Sequence, residues 1–413
     1  MRLQRLNRPG RAMRAATWGI VLSTLLAVHV QGGQFITQAN KLVSVKNDEY
    51  NYVKPKWNRG GDLLSYEKYG SRERLLFIHD QATYDSEIKS SIQQSGNPST
   101  TTPGGGMMST RAVANFDMAW SKTQNVHFTF IGSGDEGNFG MYHQRVGGHP
   151  TELELIAGGK QGGPYVAYPE YHSSEEYLVF CLGQKAMGEQ EDARLDVFAV
   201  PQTKNGELHK LSDPALKGLP QLEPTVSPTG RMVAFTGIHN GNNDIYVAPI
   251  TIKKARHNVQ SRNPVKWGNA IRRTQRSSSE GRPSWSPDGS QLAFISGHEQ
   301  RKDEWGLWVM NADGSNMRKL VDRVLGEDLP EWHPDGEHIF FVRVLEKELN
   351  PIQYVNVLTG KVETLATQTA LHTHIDISNQ GDKIAFCAKG QKTDKDLTWL
   401  KLYVAPMQKM TQK

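Results

Sequence analysis

The sequence predicts an all-β chain built from repeated sheet units, and three observations carry that prediction. A motif of Pro-x-Trp, a turn rich in Pro, Asp and Gly, and an alternating apolar run recurs, as in RPSWSPDGSQLAF from Arg282. Its copies start 63, 51, 55, 59, 47 and 45 residues apart, the scale of a four-stranded unit rather than a helix pair. Thirty-nine glycines and a charged content of 22% describe a soluble, turn-rich globular composition.

Each element of the unit has a physical reason. KPKWNRGGDLLSY from Lys54, EPTVSPTGRMVAF from Glu223, LPEWHPDGEHIFF from Leu329 and HIDISNQGDKIAF from His374 keep the spacing of the Arg282 copy without a gap. YPEYHSSEEYLVF from Tyr168 keeps it with Tyr in place of Trp, and DMAWSKTQNVHFTF from Asp117 needs one extra residue. Pro-x-Trp reads as a short strand whose Pro can forgo a donor. In the Pro-Asp-Gly turn, Pro presets φ, Asp bonds back to the backbone and Gly takes a positive φ. The run QLAFIS alternates as a second strand, WGLWVMNADG reads as a third, and MRKLV as a shorter fourth. Four strands per repeat predict a β-propeller of seven blades, with six as the alternative if the Asp117 unit belongs to a neighbour. A lone blade cannot bury its faces, so the ring must close. QFITQANKLVSV, ahead of the first motif, is a spare strand expected to supply the outer strand of the last blade.

Residues 1–32 read as a signal peptide and residues 33–413 as the propeller. The leader holds Arg2, Arg5, Arg8, Arg11 and Arg14 with no acid, then the apolar stretch AATWGIVLSTLLAVHV and small residues around Gly32 and Gly33. An uncleaved signal anchor is the alternative, and the only route to a membrane. The five arginines account for the formal net charge of +5, so the remainder is neutral and offers no overall field for nucleic acid. Residues 90–111, rich in Ser, Thr and Gly, read as a loop insertion. Cys181 and Cys387 each follow the second-strand Phe in different blades, so they read as buried thiols rather than a disulfide.

The unit WSPDGSQLAF…LWVMNADGSNMRKL resembles the Pro-Asp repeat of the TolB propeller domain. The resemblance implies an exported, periplasmic or secreted scaffold that binds an envelope protein or a small ligand. TolB-type proteins carry an α/β domain ahead of the propeller. Only about twenty residues separate Gly33 from Lys54, so a propeller without that domain is expected.

In this blade order the Pro-Asp-Gly turns fall on one face and the residues leading into each first strand on the other. Lys54, Asp117, Tyr168, Glu223, Arg282, Leu329 and His374 are therefore expected around the mouth of the central channel. Of these, all but Leu329 are the candidate ligand-binding residues. No cofactor and no catalytic residue is assigned to this reading. The alternative is a metal-dependent carbohydrate lyase. Oligogalacturonate lyases share the repeat and bind a metal through a His-x-His pair with a further His and a Gln. By that resemblance His372 and His374, with His298, His239 and Gln368 nearby, would hold a transition metal.

Overall fold

The computed structural model describes residues 35–37, 40–41, 51–69, 74–80, 92–95, 115–133, 139–146, 151–153, 166–174, 176–183, 195–202, 207–211, 213–253, 264–297, 304–345, 350–367, 369–390 and 399–409. The chain divides into Met1–Gly32 and Gly33–Lys413. The signal-peptide assignment lies outside the described residues, and so do residues 90–91 and 96–111 of the expected insertion.

Seven antiparallel sheets follow one another along the chain, so the ring has seven blades and the Asp117 unit is a blade of its own. β1 (Phe35–Thr37) and β2 (Asn40–Lys41) precede the first blade. Blade one is β3 (Asn51–Trp57), β4 (Leu63–Tyr69), β5 (Arg74–Asp80) and β6 (Ile92–Ser95). Blade two is β7 (Asn115–Trp120), β8 (His127–Ser133), β9 (Phe139–Arg145) and β10 (Thr151–Leu153). Blade three is β11 (Val166–Tyr171), β12 (Tyr177–Gly183), β13 (Leu195–Pro201) and β14 (His209–Lys210). Blade four is β15 (Gln221–Val226), β16 (Met232–His239) and β17 (Asn242–Ile252), the last pairing both β18 (Val265–Trp267) and β19 (Ile271–Arg272). Blade five is β20 (Glu280–Trp285), β21 (Gln291–Gly297), β22 (Trp305–Asn311) and β23 (Arg318–Val324). Blade six is β24 (Glu331–Trp332), β25 (His338–Val342), β26 (Ile352–Asn356) and β27 (Val362–Thr364). Blade seven is β28 (His372–Ile377), β29 (Lys383–Ala388) and β30 (Lys401–Lys409).

The first strand of the chain completes the last blade. β1 pairs with β30, Phe35 opposite Lys409 and Thr37 opposite Met407, and β2 continues the seam at Asn40 opposite Val404. Phe35 is 2% exposed. Its ring meets Tyr354 at 4.9 Å and Phe340 at 5.2 Å, both in blade six, so β1 ties two blades at once. Ile92–Ser95, read in the sequence as part of a loop, is the outer strand of blade one and pairs with β5.

A stacked aromatic pair joins the second and third strands of every blade. The pairs are Tyr66–Phe77, Phe130–Tyr142, Phe180–Phe198, Phe235–Tyr246, Phe294–Trp308, Phe340–Tyr354 and Phe386–Tyr403, with centroids 5.1–6.5 Å apart. In blade six the pair uses Phe340, one residue before the Phe341 that the repeat spacing aligns with the others, and so lies on the face turned to blade seven and Phe35.

The recurrent tryptophans link blades rather than line a surface. Trp120 Nε1 donates to the Lys56 carbonyl at 2.9 Å, Trp285 Nε1 to the Thr225 carbonyl at 3.1 Å and Trp332 Nε1 to the Ser284 carbonyl at 3.1 Å. Each bond runs from one blade to the innermost strand of the blade before it. Both cysteines are free and fully buried, and burial pushes their thiols well above the usual range.

Candidate functional site

Six of the seven residues expected at the channel mouth share one backbone state. Lys54, Asp117, Tyr168, Glu223, Arg282 and His374 have φ between 47° and 55°, the left-handed region that side-chain-bearing residues seldom enter. In each of β3, β7, β11, β15, β20 and β28 the register slips at that point against the second strand, as between Gly281 and Ser284 or Thr373 and Asp376. These are bulges, which re-aim a side chain where a sheet meets a rim. Blade six breaks the pattern: β24 is two residues long, Leu329 stands outside it without the left-handed turn, and its side chain is 44% exposed.

Carboxylates from the preceding blade hold three of these bulges. Glu67 Oε1 accepts from the Asp117 amide, Glu223 Oε2 from the Arg282 amide and Asp328 Oδ2 from the His374 amide, each at 2.9 Å. Glu67, 1% exposed, also accepts from Arg74 Nε at 2.6 Å, and Lys54 is bonded to Asp117. Burial alone would raise the Asp117 carboxyl, but Lys54, with Arg74 and Lys56 behind it, holds it below the usual range. Burial lowers the His374 imidazole against the pull of Asp328, and Lys54, Arg282 and Arg74 lower it further. Cationic groups from blades one and five therefore act on the His374 imidazole of blade seven.

A second tier lies two residues further along the inner strands, and the sequence reading passed over it. Lys56, Glu170, Thr225, Ser284, Glu331 and Asp376 are the middle residues of Pro-x-Trp or its variants, and all are half-buried. Asp376 accepts from the Trp57 amide at 2.7 Å, and Glu170 takes Lys122 at 2.7 Å. Burial pushes the Asp376 carboxyl up to about 7, against the Trp57 hydrogen bond and Lys56. Burial and then Asp376 push Glu331 well up. Charged residues at four of the seven middle positions were the signal that could have found this tier.

Among the described residues, His239, His372 and His374 do not come together as a metal-holding cluster. His372 is 2% exposed, with Nδ1 2.7 Å from the Asn350 carbonyl and Nε2 2.8 Å from Thr369 and 2.9 Å from Thr367. Both ring nitrogens are thus engaged. The bulge between Thr373 and Asp376 breaks the two-residue alternation that would align His372 with His374, whose Nδ1 instead meets Thr373 Oγ1 at 3.0 Å. His239 sits in the β16–β17 hairpin beside Asn240. His298 and Gln368 lie outside the described residues.

The family described as the TolB beta propeller domain matches residues 217–412, which span blades four to seven. Residues 217–412 thus carry the TolB-type propeller repeat, within a chain that forms seven blades. No curated protein matches the sequence. Among solved structures, an oligogalacturonate lyase in complex with manganese is 12% identical, with TM-score 0.60 over 91% of this chain and 96% of that one. The oligogalacturonate lyase of Vibrio parahaemolyticus is 11% identical, with TM-score 0.56 over 90% and 97%. A puromycin hydrolase mutant is 13% identical, with TM-score 0.61 over 86% and 53%. At these identities the likenesses are likenesses of fold. The propeller has, among its described residues, no helix long and apolar enough to cross a membrane.

Proposed function

We propose that this TolB-like propeller is an exported binding scaffold, in the periplasm or outside the cell, whose ligand is a segment of an envelope protein seated on the channel mouth. One observation supports the reading: six bulges hold Lys54, Asp117, Tyr168, Glu223, Arg282 and His374, the residues leading into each first strand, in a left-handed backbone. Such strain costs on the order of 1 kcal/mol per residue and persists where the fold uses the geometry. The rim mixes both signs with Tyr168 and Leu329, which are 38% and 44% exposed, a composition suited to a peptide.

The lyase reading rests on His372 and His374 sharing a metal, and the engaged nitrogens of His372 oppose it. A photo-crosslinking residue at Tyr168 or Leu329 is expected to capture an envelope protein in cells, whereas one at Glu337 on the opposite, turn-bearing face captures none. Arg282→Gly is expected to leave the fold intact, since glycine accepts the φ of 55° without strain, yet weaken capture from Tyr168. Equal capture from both faces would sink the reading. Stoichiometric transition metal in the purified protein, lost in His374→Ala, would turn it toward metal-dependent chemistry.

A further inference from the structure

Blade five carries a recess of about 220 Å³ that none of the mouth residues lines. Local irregularity makes it. Along the β22–β23 ladder Trp305 faces Val324, Gly306 faces Asp322, Leu307 faces Val321 and Trp308 faces Lys319, leaving Arg323 and Leu320 as extra residues. Arg323 takes a φ of 58°, the only left-handed residue among those lining the recess. Gly306 forms the floor between Trp305 and Trp308, and a Cβ there would sit 3.2 Å from both Trp308 Nε1 and the Val321 carbonyl.

The lining holds three cations, Arg276, Lys319 and Arg323, against two carboxylates, Glu304 and Asp322. Lys319 Nζ lies 2.8 Å from Asp322, and Asp322 also draws on Arg343, so one carboxylate serves two cations before Arg323 is counted. Among the described residues the Arg323 side chain forms no hydrogen bond or salt bridge. Arg276 is occupied differently: its guanidinium lies 3.9 Å from the centre of the Trp308 ring, and its Nε 3.9 Å from Glu280 Oε1. Phe294 stacks on Trp308, so Phe294, Trp308 and Arg276 form layers that end at the recess. A flat group extends such layers, and an arginine without a carboxylate partner selects an acid.

We propose that this recess binds a small organic carboxylate, its acid group on Arg323 and its flat carbon body against Trp305 and the Arg276–Trp308 layers. The site is separate from the channel mouth and stands or falls independently of the scaffold reading.

Calorimetry with phenylacetate, phenylacetamide and inorganic phosphate separates the contributions of acid and ring. Phenylacetate is expected to bind saturably, at least about tenfold tighter than the neutral amide or the ringless phosphate. Arg323→Gly suits the observed backbone, so its thermal midpoint should not fall while phenylacetate binding drops at least about tenfold. Arg323→Lys should keep part of the affinity, and Arg282→Ala at the mouth should keep all of it. No saturable binding of phenylacetate, equal affinity for acid and amide, or undiminished binding in a folded Arg323→Gly protein would each overturn the proposal.

Discussion

At the scale of single residues, the tryptophan of the repeat behaves as a directional link whose value depends on the blade it enters. Trp285 and Trp332 each donate to a carbonyl one blade back, while the Trp57 indole nitrogen is buried with no acceptor among the described residues. A buried donor without a partner costs what a made bond would have contributed, or more. Trp285→Phe is therefore expected to lower unfolding free energy by about 1 kcal/mol beyond the loss of ring volume. Trp57→Phe removes an orphan donor and should cost measurably less. Denaturant unfolding of the two variants compares them directly, and equal losses would refute the link. The repeated Trp is plain in the sequence, but which copies find an acceptor depends on how consecutive blades meet.

At the scale of the element, blade seven holds two titratable groups, half-buried Asp376 and buried His372, whose proton balances run in opposite directions. Asp376, raised to about 7, keeps a proton in the fold that the unfolded chain has released above about pH 4, so its contribution falls as pH rises through that interval. His372, lowered to about 4 by burial, stays neutral in the fold while the unfolded chain takes up a proton below about pH 6.5. Its contribution is full above that value and is lost on acidification. The two slopes oppose each other between about pH 4 and 6.5. Glu331 and Lys56 face Asp376 from the neighbouring blades and act on its charge. Asp376→Asn keeps an acceptor for the Trp57 amide but removes one slope. Its stability should then decline with acid more steeply than the parent's, and at pH 8 exceed it by about 1–2 kcal/mol, allowing for solvent screening of the half-buried carboxylate. Parallel pH profiles for the two proteins would refute this account.

The same blade shows why the strands were legible and the site less so. HIDISNQGDKIAF announces a strand, a turn and a strand through period-two patterning and its glycine, and β28 and β29 occupy those stretches. Nothing in those letters marks the left-handed turn at His374. Across the six blades that turn is taken by Lys, Asp, Tyr, Glu, Arg and His, none of which favours it as glycine would. Position in the repeat led to the six bulge residues, while side-chain direction, which the bulge resets, did not follow from counting. Hence the expected alignment of His372 with His374 has no counterpart in the fold. The outer strand Ile92–Ser95 escaped for another reason: an edge strand of four polar-rich residues needs only backbone partners, and its text is that of a loop.

At the scale of the whole molecule, stability rests on a single seam made of non-adjacent ends of the chain. Phe35 contributes more than strand pairing there, since its amide donates to the Tyr354 hydroxyl at 3.1 Å and its ring fills a site among blade-six aromatics. Phe35→Ala is expected to cost about 3–5 kcal/mol, the range for deleting a buried aromatic ring. A change of that size at Leu358, 82% exposed on a turn, should be nearly silent. Thermal unfolding of both variants measures the contrast, and a mild Phe35→Ala phenotype would place ring closure elsewhere.

The seam also sets how the molecule meets mechanical load. Phe35 lies opposite Lys409 in an antiparallel pair, so the two ends of the folded chain leave the ring from neighbouring points on one edge. Tension applied between them acts across the ladder and opens it one hydrogen bond at a time, like a zipper, instead of straining every bond together. A tether at one end and a pull at the other would open blade seven first.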